Sequence, residues 1–366
     1  MIGWRYSNYI GDKSGSPFER LLDLFKELLT HTSGNVSEAL SWLTELDKEY
    51  ELTTDDYGMA DFIKDLIDKG YIENPNTPNG NGFRPTTKME IAIRQKAFED
   101  IFDQIKKSKT GNHNTKKTGR GDEHTSELRP FEFGDSLENL AISESLKNAQ
   151  INNGIDEFKL THDDLEVRET YYQSQMSTVL MIDISHSMIL YGEDRITPAK
   201  KVAMALAELI TTRYPKDTLD ILVFGNDAWS IKIKDLPYLE VGPYHTNTVA
   251  GIELAMDLLR KRRNPNKQIF MITDGKPTCI KKGKKYYKNS FGIDKKILQR
   301  TLNLATKCRK INIPITTFMI ARDPYLVNFV DQFTKANNGK AYYSSLGGLG
   351  EFIFKDYRQN RRKRHR

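Results

Sequence analysis

The chemistry-bearing residues of this chain fall in three short stretches. The first is Ser177-Thr-Val-Leu-Met-Ile-Asp-Ile-Ser-His-Ser-Met188, where Asp183, Ser185 and Ser187 stand in D-x-S-x-S spacing. One carboxylate and two hydroxyls supply hard oxygen ligands without neutralising a dication, which is the first half of a Mg²⁺ site. The second stretch is His245-Thr246-Asn247-Thr248, ahead of a helical pattern, and the third is Thr273-Asp274-Gly275, after an apolar run. Each alone is weak, because serines and threonines cap helices and Thr-Asp-Gly is a common turn. In this order, each at the end of a strand or the start of a helix, the combination is specific.

The elements that must position these loops alternate from Ser177 onward. Thr178–Ile182 reads as a strand buried on both faces, and a helix-period run follows from Ala199 to Arg213. Thr218–Phe224 is a second strand with Ala228–Lys234 as a hairpin partner. Val249–Arg262 is a helix and Gln268–Thr273 a further buried strand. Asp294–Arg309, Pro324–Asn337 and Leu349–Tyr357 are helices, with strands at Pro314–Ile320 and Lys340–Tyr343. Strands alternating with helices predict an α/β fold: a doubly wound, mostly parallel, Rossmann-like sheet. In such sheets ligands bind beyond the carboxyl ends of the strands, where the three loops belong.

Before residue 108 the pattern is all-α, with helices starting after Ser16-Pro17, at Val36, across Asp55–Gly70 and across Thr87–Lys107. None of them presents a catalytic constellation. Lys106–Thr125 has nothing apolar to bury and reads as flexible, and Ser136–Asn148 as a short helix. The expected organisation is a helical region over 1–108 and a linker and docking segment over 109–170. A metal-binding domain over 171–357 and a basic tail over 358–366 complete it. Only Cys279 and Cys308 occur among 366 residues, a usage that fits a reducing, cytoplasmic setting. No apolar run approaches the ~20 residues of a membrane helix.

These residues carry a resemblance. The chain from about Ser177 to Leu349 resembles a von Willebrand factor type A (VWA) domain, and its three loops match that family's metal-ion-dependent adhesion site, the MIDAS motif. Phe131-Glu-Phe-Gly-Asp135, Asp164-Leu-Glu-Val-Arg-Glu169, Ile272-Thr-Asp-Gly-Lys-Pro-Thr278 and Thr317-Phe-Met-Ile-Ala-Arg-Asp323 are similar to segments of a bacterial group of uncharacterised proteins with a helical N-terminal region. The resemblance implies that Asp183, Ser185, Ser187, Thr246 and Asp274 hold Mg²⁺, with Mn²⁺ as the alternative ion. In that pattern the serines coordinate directly, while the threonine and the aspartates do so directly or through water. His245 departs from it, standing where relatives often have glycine. The family also implies a partner, since such proteins are frequently encoded beside MoxR-type AAA+ ATPases.

Charge explains the residue set. Neutral hydroxyls and two carboxylates leave the ion electrophilic, so an acidic side chain of a partner can complete its shell. Oxygen donors disfavour Zn²⁺. The expected function is a metal-dependent protein-binding module and not an enzyme. Two rivals come from other classes. A Mg²⁺-dependent phosphatase would use Asp183 as acceptor but wants a second acid where Ser185 stands. A nucleic-acid adaptor would use the tail Arg358-Gln-Asn-Arg-Arg-Lys-Arg-His-Arg366, the densest part of a modest net charge of +6. No zinc-finger or helix-turn-helix spacing accompanies that tail, so nucleic acid is not the expected partner.

Overall fold

The computed structural model describes residues 16–74, 82–107, 123–132, 140–154, 159–171, 175–192, 194–283, 285–289, 294–320, 324–343 and 349–361. Most of the expected linker (108–122), Gly134 and Asp135, Ala321–Asp323 and the end of the basic tail (362–366) lie outside the described residues. The chain opens with α1 (Pro17–His31), α2 (Val36–Tyr50) and α3 (Met59–Asp68). A ribbon of β1 (Ile72–Glu73) and β2 (Arg84–Pro85) leads into α4 (Thr87–Lys107). The start of α1 is set locally: Ser16 Oγ accepts the Glu19 N–H, the Glu19 carboxylate accepts the Ser16 N–H, and Pro17 takes the first helical position.

Next come β3 (Glu123–Pro130), α5 (Ile142–Asn153) and β4 (Glu166–Tyr171), with β3 antiparallel to β4. The remainder is β5 (Met176–Asp183), α6 (Ile196–Arg213), β6 (Thr218–Phe224), β7 (Ala228–Ile231), α7 (Thr248–Lys261), β8 (Asn266–Thr273), β9 (Cys279–Lys282) and β10 (Lys285–Lys288). Then follow α8 (Lys295–Lys310), β11 (Ile315–Met319), α9 (Pro324–Asn337), β12 (Lys340–Tyr343) and α10 (Leu349–Arg361).

Six of these strands make one sheet in the order β12-β11-β8-β5-β6-β7, parallel throughout except for β7. The central strand β5 is buried along its whole length, which is why its middle, Val179–Ile182, is a continuous apolar run. Its side chains alternate between two cores. Leu180 and Ile182 join the core on the α6 side, and Val179 and Met181 the core built with α7, α8 and α9.

α6 is buried nearly all round, and a helix apolar on every side needs a cover on its far face. α4 lies along it and α1 packs beside it, so Phe25, Leu29, Met89 and Ile93 belong to the same core as Val202 and Leu206. The N-terminal helices and the chain from Met176 to Tyr357 therefore form one compact unit, and β3, α5 and β4 belong to a second. The sequence reading keeps residues 1–108 apart from 171–357 and treats 109–170 as linker and docking segment. The structure joins the first two through α6 and gives residues 123–171 a sheet and a helix of their own. Among the described residues no helix is long and apolar enough to cross a membrane.

One lysine ties the layer down. Lys200 of α6 is fully buried, and its Nζ donates to Thr30 O at 2.7 Å, Ser33 Oγ at 3.2 Å, Leu239 O at 3.3 Å and Pro237 O at 3.4 Å. Burial holds its pKa down at about 8, so it stays charged near neutrality. Next to it Lys201 pairs with Glu27, and Gly34, at φ +82°, lets the Tyr238 ring approach where a Cβ would sit 2.2 Å from it. Replacing Lys200 by Ala strips the donor from these buried acceptors, and the expected loss of stability is about 2–3 kcal/mol. Urea denaturation checks it. An unchanged midpoint would mean that apolar contact alone holds the layer.

Candidate functional site

The carboxyl ends of β5 and β8 are neighbours in the sheet, and they deliver Asp183 and the Thr273-Asp274 pair to one edge. Past β5 the backbone is pinned from both sides. Ile184 N–H donates to Phe224 O at 3.0 Å, Gly242 N–H to Ile184 O at 3.2 Å, and His186 N–H to Tyr244 O at 3.1 Å. The segment then winds into a 3₁₀ turn from His186 to Gly192. Thr246 arrives from the loop before α7. Its N–H donates to Thr278 Oγ1 at 3.0 Å, and its carbonyl accepts from the N–H groups of Thr278 (2.9 Å) and Cys279 (3.2 Å). Asn247 beside it caps α7 through Ala250 N–H at 3.1 Å and donates to Asn226 O at 2.8 Å. His245 departs from glycine without strain, since it is not among the residues of positive φ.

All five expected residues meet here. Thr246 Oγ1 lies 3.0 Å from Ser185 Oγ, Ser185 Oγ 3.1 Å from Ser187 Oγ, and Ser187 Oγ 2.7 Å from Asp274 Oδ1. Asp183 is held from behind: Oδ1 accepts the Ser185 N–H at 2.9 Å and Oδ2 the Thr273 hydroxyl at 2.6 Å. Asp183, Ser185, Thr246 and Asp274 are buried, while Ser187 is half-buried, so the cluster faces outward on its side. His186 points into solvent. Burial, and after it the Asp274 charge, push the Asp183 carboxyl up to about 7.

The sequence reading missed Arg195. It lies in the loop before α6, and its guanidinium donates to Asp274 Oδ2 at 2.7 Å, forming an ion pair with a carboxylate that has no exposed surface. The same reading quotes Thr273, Thr278 and Gly275 but gives them no role of their own. A Cβ on Gly275 would sit 3.4 Å from Ser187 Oγ and 3.6 Å from Thr246 Oγ1, so glycine keeps the hydroxyl cluster clear. Glycine in the Thr-Asp-Gly turn was a signal for the last. Nothing local marked Arg195.

The donor set fits a hard dication: two carboxylates and three hydroxyls, no sulfur and no imidazole. Among the described residues no group of three or more His, Cys, Asp or Glu side chains converges as a metal site. The hydroxyls must therefore supply much of any shell.

Two family models match this chain. "Rv0959-like protein, vWA domain" covers residues 176–358, half of the chain, and "Rv0959-like protein, third domain" covers residues 123–170. The chain is 27% identical over 314 residues to the uncharacterised protein Rv0959 of Mycobacterium tuberculosis and to Mb0984 of Mycobacterium bovis. The alignment takes in 83% of this chain and 46% of each relative, so the chain spans about half the length of the curated relatives it matches. Among solved structures, the SpRpn10 VWA domain matches with a TM-score of 0.38 and 16% identity, over 50% of this chain and 95% of that one. The vWF domain of the pilus tip protein Mfa5 from Porphyromonas gingivalis matches with a TM-score of 0.42 and 11% identity, over 54% and 99%.

Two buried acids sharing one neighbourhood strain this edge of the sheet. Asp183→Asn is isosteric and keeps both bonds, accepting from Ser185 N–H and donating to Thr273 Oγ1, while removing the buried charge. With chelator at pH 8 its melting temperature is expected to exceed wild type by a few degrees. The wild-type carboxyl is raised from 3.8 to about 7. Its cost is absent below the unfolded pKa and complete above the folded one, so the gap opens as pH rises between them. Equal melting at pH 8 would show that the acid is not strained.

Proposed function

The chain belongs to the Rv0959-like family through its von Willebrand factor type A domain, and from that premise we propose that it is a divalent-metal-dependent protein-binding module that performs no catalysis of its own. A domain of this kind is in general a protein-interaction module; the metal dependence and the partner chemistry are the proposal. One observation carries it: oxygen atoms from three separated loops lie within 2.7–3.1 Å of one another in sequence at a single sheet edge.

Asp183, Ser185, Ser187, Thr246 and Asp274 would hold Mg²⁺ or Mn²⁺. When bound, the ion supplies a Lewis-acidic position open to a carboxylate from outside. The chain's own residues keep that position underfilled. Ser185, Ser187 and Thr246 bring dipoles and no charge. Asp274 shares its Oδ2 with Arg195, so part of its charge is already spent. Thr273 and the Ser185 N–H brace Asp183 so that it cannot swing out. Ser187 marks the outward side, where an Asp or Glu of the partner would enter. The partner class that this reading favours is a MoxR-type AAA+ ATPase presenting such an acid, and the setting it favours is the bacterial cytoplasm.

Calorimetric Mg²⁺ titration tests the reading. Asp183→Ala is expected to weaken binding by more than about ten-fold, the equivalent of about 1.4 kcal/mol. Arg195→Gln is expected to tighten it several-fold, because a cation that repels the ion is gone. Equal affinity in wild type and Asp183→Ala would defeat the proposal. Hydrolysis of an aryl phosphate by wild type, lost in Asp183→Ala, would favour a phosphatase instead.

A further inference from the structure

Between β8 and α8 the chain leaves the sheet as a hairpin, β9 against β10, with Lys282 opposite Lys285, Lys281 opposite Tyr286 and Cys279 opposite Lys288. Its root is fixed beside the site described above. Thr278 and Cys279 donate their N–H groups to the Thr246 carbonyl, and Ile280 is buried with Val249 of α7 and Ile297 of α8. Everything beyond the root is exposed.

The outward residues form a basic and aromatic surface. Tyr286 and Tyr287 are each 38% exposed. The ammonium groups of Lys281 and Lys288 stand 5.4 and 5.8 Å from the Tyr286 ring centre, and those of Lys282 and Lys296 stand 4.8 and 5.6 Å from that of Tyr287. Two carboxylates lie among them. Asp227 takes Lys281 at 2.9 Å and the Tyr286 hydroxyl, and Asp294 takes the Tyr287 hydroxyl at 2.9 Å while capping α8. Among the described residues no carboxylate lies within ion-pair distance of Lys282, Lys285, Lys288 or Lys296. Like charges crowd instead, since contact with Lys296 holds the Lys282 ammonium below its ordinary pKa.

Setting tyrosines under ammonium groups of which, among the described residues, Lys281 alone has a carboxylate within ion-pair distance, at the border of a site open to a carboxylate, gives that border a sign and a shape. We infer that the β9–β10 hairpin is the second half of the partner-binding surface and takes a short acidic segment, rich in Asp and Glu, that runs on from the residue meeting the ion. This rests on the reading of the site as a metal-dependent binder. Asp227 and Asp294 divide the patch into short positive pieces, which suit separate carboxylates better than an evenly charged phosphate backbone. The tyrosine hydroxyls are already committed to those acids, which leaves the ring faces and edges for contact.

The test uses the full chain and a fluorescein-labelled peptide of alternating Asp and Glu, followed by anisotropy with Mg²⁺ or with chelator. Exposed pairs contribute modestly one by one, so the combined variant Lys282→Gln, Lys285→Gln, Lys288→Gln is expected to bind the peptide about ten-fold more weakly while keeping wild-type Mg²⁺ affinity by calorimetry. Loss in that variant, with no effect of chelator or Asp183→Ala, keeps the hairpin surface and removes the metal. Loss with chelator, while the triple variant binds as wild type does, keeps the metal and overturns the hairpin. Failure of wild type to bind the peptide overturns the inference. So does tighter binding of a labelled single-stranded oligonucleotide of equal charge, since it would assign the patch to nucleic acid.

Discussion

The structure turns on keeping two carboxylates, Asp183 and Asp274, out of water at the ends of adjacent strands. Neither side chain has exposed surface to draw on, and a buried anion costs several kcal/mol unless it is paired or hydrogen-bonded. Each acid has a different remedy. Asp183 takes neutral donors, Thr273 and the Ser185 N–H, and remains strained. Asp274 takes a full charge from Arg195 and a hydroxyl from Ser187. The asymmetry leaves Asp183 as the group with most to gain from a cation.

Arg195 gives the N-terminal helices a route to this pair. The residue before it, Asp194, accepts the Thr197 N–H from the first turn of α6 at 3.0 Å and lies 3.4 Å from His31 Nδ1, in the last turn of α1. Burial raises the Asp194 pKa, but His31 and Thr197 more than offset it and leave the group at about 2. The contact with Asp194, and after it Glu27, lifts His31 above its ordinary value. The loop that carries the Asp274 counterion is thus held at one end by α6 and alongside by α1. The helical layer is part of what positions the site, besides covering the core.

What could be read from residue order alone follows the range of the interactions. β5 announces itself because burial on both faces forces an unbroken apolar run, and Asp183, Ser185 and Ser187 sit at its end in local spacing. Thr246 and Asp274 lie at predictable ends of α7 and β8. Arg195 was illegible because its partner is in a distant loop, and an arginine before a helix is usually solvent-exposed. The strand character of β3 was hidden as well, for Glu123-His-Thr-Ser-Glu-Leu-Arg-Pro130 is polar on both sides. The union of α1 and α4 with α6 had a faint trace. Val202–Ile210 is apolar beyond one stripe, and a second buried face implies a second layer.

The hydroxyls add an argument about readiness. Thr246 donates to Ser185 and Ser187 donates to Asp274, so the Ser185 hydrogen is left for Ser187. Every hydroxyl proton in the chain then runs in one direction, toward the carboxylate, and each oxygen keeps a lone pair beside it. Under the proposed reading, receiving a cation among these oxygens would require the hydroxyl protons to rotate away and Arg195 to loosen its hold on Oδ2. Neither change moves the backbone, which the Phe224, Tyr244 and Thr278 bonds fix independently. Preorganisation of this kind lowers the cost of filling the site and places the main resistance in one side chain, Arg195, on the loop that α1 and α6 hold.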